Sequence, residues 1–389
     1  MNVNPRDPTV LAGYTTLGLG GPAGTFVTAE TEADLVDAVR SADEAGEPVL
    51  LIGGGSNLVI ADTGFAGTVI HVNTRGMRRA AAGASAVDGA VDVTVAAGED
   101  WDEVVAAAVA EGLAGLEPLS GIPGRAGATP IQNVGAYGRE VAEVITQVRV
   151  YDRREHQVTV VENEGCAFSY RTSLFKSGRP ESLVPWPDGA AGRAAGPGGA
   201  GQPWAAGQAR FVVLDVTFRL SGQPLSAPVR YAELAAELGV GMGEQAGVGE
   251  VRAAVLKIRA GKGMVLNPGD PDTRSAGSFF TNPVLTAVEL AQVESAAARH
   301  GAGQVPRYDV GEGLVKVSAA WLIERAGFPK GYGAPGPARV SSKHTLALVN
   351  AGSATTADLL ALAREIVTGV RTRFGVTLTP EPTLIGVTL

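Results

Sequence analysis

The sequence predicts an α+β chain of two or three domains, and three observations carry that reading. Strand and helix patterns alternate through residues 1–75, helical periodicity takes over after Pro228, and 389 residues with 45% hydrophobic content can fill more than one core.

Residues 25–29 read as a strand. Thr31 to Asp34 forms a capping-box pattern ahead of Leu35, Val36, Val39 and Ala42 at helical spacing, and Gly46 ends that helix. Val49–Ile52 is a short apolar strand, broken by Gly53, Gly54, Gly55, Ser56 and Asn57, and residues 68–72 form another strand. This alternation predicts a first domain over residues 1–75. In the next stretch Val91–Ala96 is strand-like, Asp100 caps a helix that Gly112 stops, and residues 144–151 and 157–161 read as paired strands. Residues 178–208, rich in Gly, Ala and Pro, read as a flexible insertion without function, and Phe211–Leu220 as an alternating strand that closes a second domain over 76–225. From 226 to 375 the predicted helices lie at 231–238, 248–259, 287–298, 319–326 and 355–373, with a strand at 345–349. Asp358 in the first turn and Arg371 and Arg373 in the last turn of the longest helix suit its dipole. Residues 376–379 and 383–387 read as strand segments within a tail, 376–389, expected to return to the second domain.

Charge and composition narrow the function classes. A net charge of −8 without a block of like charge does not suggest a nucleic-acid binder. A lone cysteine, Cys166, excludes an internal disulfide and a cysteine metal cage, and His71, His156, His300 and His344 have no metal-ligand spacing, so no metal is expected. The opening residues lack the pattern of a signal peptide and no apolar run reaches membrane-spanning length. A cytoplasmic protein with no membrane association, and a monomer, is the expectation.

Two glycine-rich stretches are candidates for an anionic ligand. Residues 120–138 hold five glycines and two prolines in nineteen residues, with Arg125 as the one charge. Such a loop is either a surface connection or a place where backbone N–H groups approach a ligand such as a pyrophosphate. Gly53 to Asn57, directly after a buried strand, is either a tight turn or a second such site. Gly18-Leu-Gly-Gly-Pro-Ala23 fits a loose dinucleotide pattern, but no convincing strand precedes it and Pro22 interrupts it. No P-loop or nucleophile elbow occurs. Arg171 among aromatics, Ser278 between Gly277 and two phenylalanines, and Glu381 between two prolines are either structural partners or reactive groups.

Beside these alternatives stand six segments in order: 51–59, 120–124, 130–138, 168–171, 276–283 and 380–386. Together they resemble the UDP-N-acetylenolpyruvoylglucosamine reductase family, type I, over nearly the whole chain. The resemblance implies a two-domain FAD-binding fold of the vanillyl-alcohol-oxidase (PCMH) type followed by an α+β substrate-binding domain. It implies FAD contacts from Gly53, Gly54, Gly55, Ser56, Asn57 and Leu58. The longer loop would add Ser120, Gly121, Ile122, Pro123, Gly124, Gly127, Ala128, Pro130, Gln132, Asn133, Gly135, Ala136, Tyr137 and Gly138. FAD is expected to be non-covalent, because Asn57 follows Ser56 where a linking histidine would stand and neither loop has a cysteine. The implied activity is NADPH-dependent reduction of the UDP-linked enolpyruvyl amino sugar in peptidoglycan precursor synthesis. By the same resemblance hydride would go to C3 and a proton from Ser278 to C2, with Arg171 and Glu381 completing the catalytic set. Tyr170, Tyr231, Arg259, Lys262, Asn282 and Lys316 match substrate-contacting positions. Two other readings stand beside it: a flavin oxidase on the same scaffold, and a non-catalytic nucleotide-sugar-binding protein.

Overall fold

The computed structural model describes residues 9–83, 89–177, 209–311 and 313–389, so the insertion read at 178–208 lies outside the described residues. In chain order the elements begin β1 (Ala23–Ala29), α1 (Glu32–Glu44), β2 (Val49–Ile52), β3 (Leu58–Ile60), β4 (Phe65–Val72), β5 (Met77–Ala81), β6 (Val91–Ala96) and α2 (Trp101–Ala110). They continue β7 (Gly135–Ala136), β8 (Arg139–Glu140), β9 (Ile145–Asp152), β10 (Gln157–Glu162), α3 (Leu174–Ser177), β11 (Phe211–Leu220), α4 (Ala232–Leu238) and α5 (Val248–Gly261). The last are β12 (Val284–Thr286), α6 (Ala287–Arg299), β13 (Arg307–Asp309), β14 (Leu314–Val317), α7 (Ala319–Arg325), β15 (Ala338–Val340), β16 (Leu348–Asn350), α8 (Thr356–Phe374) and β17 (Thr383–Ile385). They fall into two compact units. The first is built mainly from Ala23–Gly54 and Ala66–Ala260, the second from Val10–Pro22, Gly55–Phe65 and Gly261–Leu389.

Among the described residues the first unit contains two larger sheets and the two-stranded pair β7-β8. One has the order β1-β4-β2, with β2 parallel to β4 from Val49 opposite Thr68 to Ile52 opposite His71. Helix α1 starts from the capping box expected of Thr31 and Asp34 and buries Leu35, Val36 and Val39. The other sheet has the order β10-β9-β11-β6-β5 and its strands run antiparallel. Central β11 is buried at every position but Arg219, so the alternation read over Phe211–Leu220 is corrected: both faces of this central strand are covered and its run is nearly continuously apolar. Its one inward acid, Asp215, takes a hydrogen bond from Arg149 Nε at 2.8 Å, so the charge is not left uncompensated. Strand β5 was not evident in the sequence. Met-Arg-Arg-Ala-Ala lacks the β-branched and aromatic residues that mark strands, and it sits exposed at the sheet edge. A smaller core, with Val229, Leu234, Val251, Val255 and Ile258, joins the coil before α4 to helices α4 and α5.

In the second unit α6, α7 and α8 cover a core that includes Leu322, Ile323, Leu359, Ala363, Ile366 and Val370. Helix α8 is capped twice. Thr355 and Asp358 form a capping box, and the Asp62 carboxylate accepts the N–H groups of Thr356 and Ala357 at 2.8 and 3.0 Å, as an anion at a helix start should. Three expectations for this part of the chain are corrected. The final strand β17 pairs in parallel with β3, Thr383 opposite Leu58 and Ile385 opposite Ile60, and not with the strands of 76–225. Residues 376–379 form no strand, and Pro380 and Pro382 deny the tail the N–H groups of a continuous ladder. The strand read at 345–349 begins only at Leu348, because Thr345 to Ala347 complete a turn in which Ala347 N–H donates to the His344 carbonyl at 3.0 Å.

The glycines at 18–21 also find their explanation here. A Cβ on Gly21 would lie 2.1 Å from the Asp62 carbonyl oxygen, so Gly21 is glycine because two backbones meet, and Gly18 and Gly20 have positive φ. Leu359 is fully buried in α8. Leu359→Ala should cost about 2–5 kcal/mol of unfolding free energy by cavity formation, and a chemical-denaturation midpoint equal to the parent's would contradict this account of the core.

Candidate flavin and substrate site

In the first unit the long glycine loop is anchored by the start of α2. Asp100 caps that helix by accepting the N–H groups of Asp102 and Glu103. Buried Trp101 then makes two contacts to the loop. Its indole Nε1–H donates to the Leu119 carbonyl at 3.1 Å, and its backbone N–H donates to the Gly124 carbonyl at 3.1 Å. Asp102 Oδ1 accepts Gly121 N–H at 2.6 Å. Arg252, on α5, grips the same carboxylate with Nη1 and Nη2 at 2.6 and 2.9 Å. Burial pushes the Asp102 carboxyl up, but the Arg252 and Gly121 hydrogen bonds and the charges of Arg252 and Arg259 outweigh it and hold the group below the usual aspartate range.

Gly53 and Gly54, at the end of β2, meet this anchored loop. A Cβ on Gly54 would stand 2.8 Å from Gly124 Cα, and one on Gly53 would stand 3.0 Å from Arg125 Cγ. Two glycine segments thus come together where no side chain would fit. Among the described residues no backbone hydrogen bond is found from the amides of Gly53, Gly54, Ile122 or Gly124. Unspent donors on closely approaching glycine backbone suit a pyrophosphate, so these residues fit FAD.

Other expected cofactor residues turn inward. Ser120 is fully buried and its hydroxyl donates to the Glu117 carbonyl at 2.6 Å. Gly127 N–H donates to Ala97 at 2.9 Å, and a Cβ there would stand 2.5 Å from that of Ala97. Asn133, in left-handed backbone with φ 47°, donates to Glu140 Oε2 at 2.6 Å and accepts Ala142 N–H at 3.2 Å. These three shape the loop.

Arg171 lies at the tip of a tight turn in which Ser169 and Thr172 exchange backbone hydrogen bonds at 3.1 and 3.2 Å. Its own φ is 57°. Its guanidinium donates to the Asn133 and Gly135 carbonyls at 3.4 and 2.9 Å and lies 5.6 Å from the Tyr170 ring centroid. The arginine is therefore fixed to the far end of the same glycine loop. At that end, the Tyr137 and Tyr231 rings meet edge to face at 5.4 Å. Burial pushes the Tyr137 hydroxyl up to about 12, and Arg259, hydrogen-bonded to it, works the other way. Arg259 is itself 6% exposed. Its burial pulls the guanidinium down from its ordinary value, opposed by Tyr137 and Asp102.

The second unit holds Gly55, Ser56, Asn57, Leu58, Lys262, Ser278, Asn282, Lys316 and Glu381. Gly55 has φ 56°, and a Cβ there would lie 1.9 Å from the Tyr14 carbonyl oxygen, so glycine is required. Residues 278–281 run beside 379–381. Glu381 N–H donates to Phe279 O at 2.9 Å, Thr281 N–H donates to Thr379 O at 3.1 Å, and Phe280 bridges Pro380. This register sets Glu381 across from the immediate neighbour of Ser278. Asn57 Nδ2 donates to the Glu381 carbonyl at 3.3 Å and Thr383 N–H donates to Asn57 O at 2.9 Å, which ties the end of the turn 53–57 to the glutamate. Asn282 spends its Oδ1 on Ala319 N–H at 2.9 Å, at the start of α7. Lys316 is half-buried on β14, opposite Val284 and Tyr308. Sequence reasoning missed His344, whose Nε2 lies 3.5 Å from Ser278 Oγ. It also missed the Asp102–Arg252 pair. Both join residues far apart in the chain. Among the described residues no group of three His, Cys, Asp or Glu side chains could hold a metal ion, and no helix is long and apolar enough to cross a membrane.

Paired glycine segments of this kind suit an anionic cofactor such as a dinucleotide, and the class of protein follows from known relatives. A profile described as an FAD binding domain matches residues 23–160, and one described as the UDP-N-acetylenolpyruvoylglucosamine reductase C-terminal domain matches 270–385. The chain is 52% identical to the UDP-N-acetylenolpyruvoylglucosamine reductase of Thermobifida fusca over 97% of both chains. It is 53% identical to that of Streptomyces coelicolor over 97% of this chain and 90% of the relative. The crystal structure of the Thermus caldophilus reductase superposes with a TM-score of 0.59 at 25% identity, covering 99% of each chain. The chain belongs to the UDP-N-acetylenolpyruvoylglucosamine reductase family. It is an enzyme and a flavoprotein, and it uses FAD.

Two outcomes follow for the anchored loop. Gly54→Ala should weaken FAD binding by about tenfold, some 1.4 kcal/mol, measured by fluorescence titration of apoprotein; unchanged affinity would remove Gly54 from the cradle. The lowered pKa of Asp102 adds stability that is complete above the ordinary aspartate range and is lost as pH falls through its folded value. Asp102→Asn should therefore flatten the acid limb of a thermal-stability profile while leaving its slope near neutral pH unchanged.

Proposed function

We propose that this enzyme reduces the UDP-linked enolpyruvyl amino sugar to its lactyl ether at the expense of NADPH, a step in peptidoglycan precursor synthesis, and that Arg171, Ser278 and Glu381 are its catalytic residues. Bound FAD supplies the hydride carrier between NADPH and C3 of the enol ether. Gly53 to Leu58 and the loop 120–138 are the residues that would hold it.

Each catalytic group has a task that its chemistry suits. Addition of hydride at C3 puts negative charge on C2 and the adjoining carboxylate, and a fixed cation lowers the energy of that charge. Arg171 is such a cation, because two loop carbonyls orient its guanidinium. Ser278 Oγ–H gives its proton to C2. A serine hydroxyl is a weak acid, so the transfer depends on close placement against a strongly basic carbon. Glu381, carried beside Ser278 by the pairing of 278–281 with 379–381, serves as the second polar group at that carbon. Tyr231, Arg259 and Lys262 contact the nucleotide diphosphate end, with Tyr170, Asn282 and Lys316 as further substrate contacts.

The observation that carries this reading is that pairing, which puts Ser278 and Glu381 on adjoining segments although the chain separates them widely. Ser278→Ala should leave bleaching of the bound flavin by NADPH within about twofold of the parent. It should slow the return of colour on mixing with the UDP-linked enolpyruvyl sugar by about 10²-fold or more. Equal slowing of both steps would contradict the proton-donor role. Rapid return of colour in air, indifferent to the sugar, would point to an oxidase instead.

A further inference from the structure

We propose that His344 is a positioning residue for proton delivery: its Nε2–H donates to Ser278 Oγ, so that the serine proton is turned toward the substrate and the oxygen left behind is stabilised. The inference rests on the assignment of Ser278 as proton donor. It concerns a residue that none of the six ordered sequence segments contains.

The histidine is held by a built turn. Ser341, fully buried, accepts the N–H groups of Lys343 and His344 on its hydroxyl at 3.0 and 3.3 Å. Its own N–H donates to Ala347 O at 2.8 Å, while Ala347 N–H donates back to His344 O at 3.0 Å. The turn is stapled from two further sides. Ser342 Oγ donates to the buried Asp272 carboxylate, and Lys343 pairs with Asp270. The exit from the turn then reaches the serine segment directly, where Phe279 N–H donates to Leu346 O at 2.7 Å. Gly277, with φ 72°, bends the chain just before Ser278. Both partners are thus fixed by backbone hydrogen bonds around them, and the 3.5 Å between Nε2 and Oγ is a placement the fold maintains.

The direction of the bond follows from the chemistry. A hydroxyl that donated to imidazole would point its proton away from the substrate. That arrangement prepares a nucleophile, and reduction of an enol ether needs none. With Nε2 protonated as the donor, Oγ accepts from His344 and its single proton is left for C2. In the transfer the Oγ–H bond breaks as the C2–H bond forms, C2 supplying the electron pair. The oxygen keeps the pair of its broken bond as an alkoxide against the His344 N–H, and it recovers a proton from water as product is exchanged. Serine is a poor acid because its alkoxide is poorly stabilised, and a fixed N–H at that oxygen corrects this in the same way as an oxyanion-hole donor.

The test uses purified holoenzyme and follows flavin absorbance in two separate mixing experiments, with NADPH and then with the UDP-linked enolpyruvyl sugar. His344→Phe should leave the first rate within about twofold and slow the second by about tenfold or more. His344→Gln, which can present an amide N–H to the same oxygen, should restore most of that loss. In a Ser278→Ala background His344→Phe should add little, because the two act through one proton. If Ser278→Ala alone slows the second step but His344→Phe does not, the positioning role is overturned and the serine's role stands. The positioning role is equally overturned if His344→Phe slows both steps alike or adds in full to Ser278→Ala. If Ser278→Ala leaves the second step unchanged, the proton-donor assignment fails first and this inference goes with it.

Discussion

The first turn of α2 is the constraint on which the long glycine loop of the first unit depends. Three consecutive residues each engage a different point of the loop that follows the helix. Asp100 caps the helix and bridges Arg125, Trp101 holds Leu119 and Gly124, and Asp102 holds Gly121. A nineteen-residue stretch with no regular period would ordinarily lose much of its bound geometry to conformational entropy. Here that entropy is removed by a helix terminus already rigid through its own packing, since Trp101 is 1% exposed. Glycine can then do what it is there for. Gly54 and Gly124 approach within a distance that excludes any side chain.

The far end of the loop is fixed by different means to a different purpose. Asn133 and Tyr137 both adopt left-handed backbone, as does Arg171, and non-glycine residues persist there only where surrounding contacts over-determine them. For Asn133 the contacts are the Glu140 carboxylate and the Ala142 amide. For Arg171 they are two loop carbonyls. One piece of backbone therefore presents amides at one end and orients a cation at the other. Its composition reflects both demands, with glycine where backbone must come close and asparagine or tyrosine where a side chain must lock the turn.

Much of the architecture was legible from local chemistry. The capping box of Thr31 and Asp34 forms as read, Asp358 stands in the first turn of α8 as read, and β9 and β10 pair as read. What failed was non-local or lacked a propensity signal. Strand β5 is a short, exposed edge whose residues favour no strand. The partner of β17 lies over three hundred residues away in β3, and no periodicity reports such a pairing. The candidate site divides along the same line. Its glycines, Arg171, Ser278 and Glu381 stood out through composition or through the order of segments. His344 did not, because a lone histidine between a lysine and a threonine carries no pattern, and its relation to Ser278 exists only after the turn 341–347 closes beside Phe279.

In the second unit main-chain pairing does the work that the helix terminus does in the first. Ser278, Glu381, Asn57 and His344 come from four separate stretches, and each is placed through backbone hydrogen bonds of its own or of its immediate neighbours. Side-chain packing alone would leave these groups the freedom of several rotamers. Backbone registration fixes where each side chain begins, so only the last one or two torsions remain to be set. Proton transfer to carbon is sensitive to placement at the scale of an ångström. The pairings of β3 with β17 and of 278–281 with 379–381 supply backbone placement of that accuracy from segments only three or four residues long.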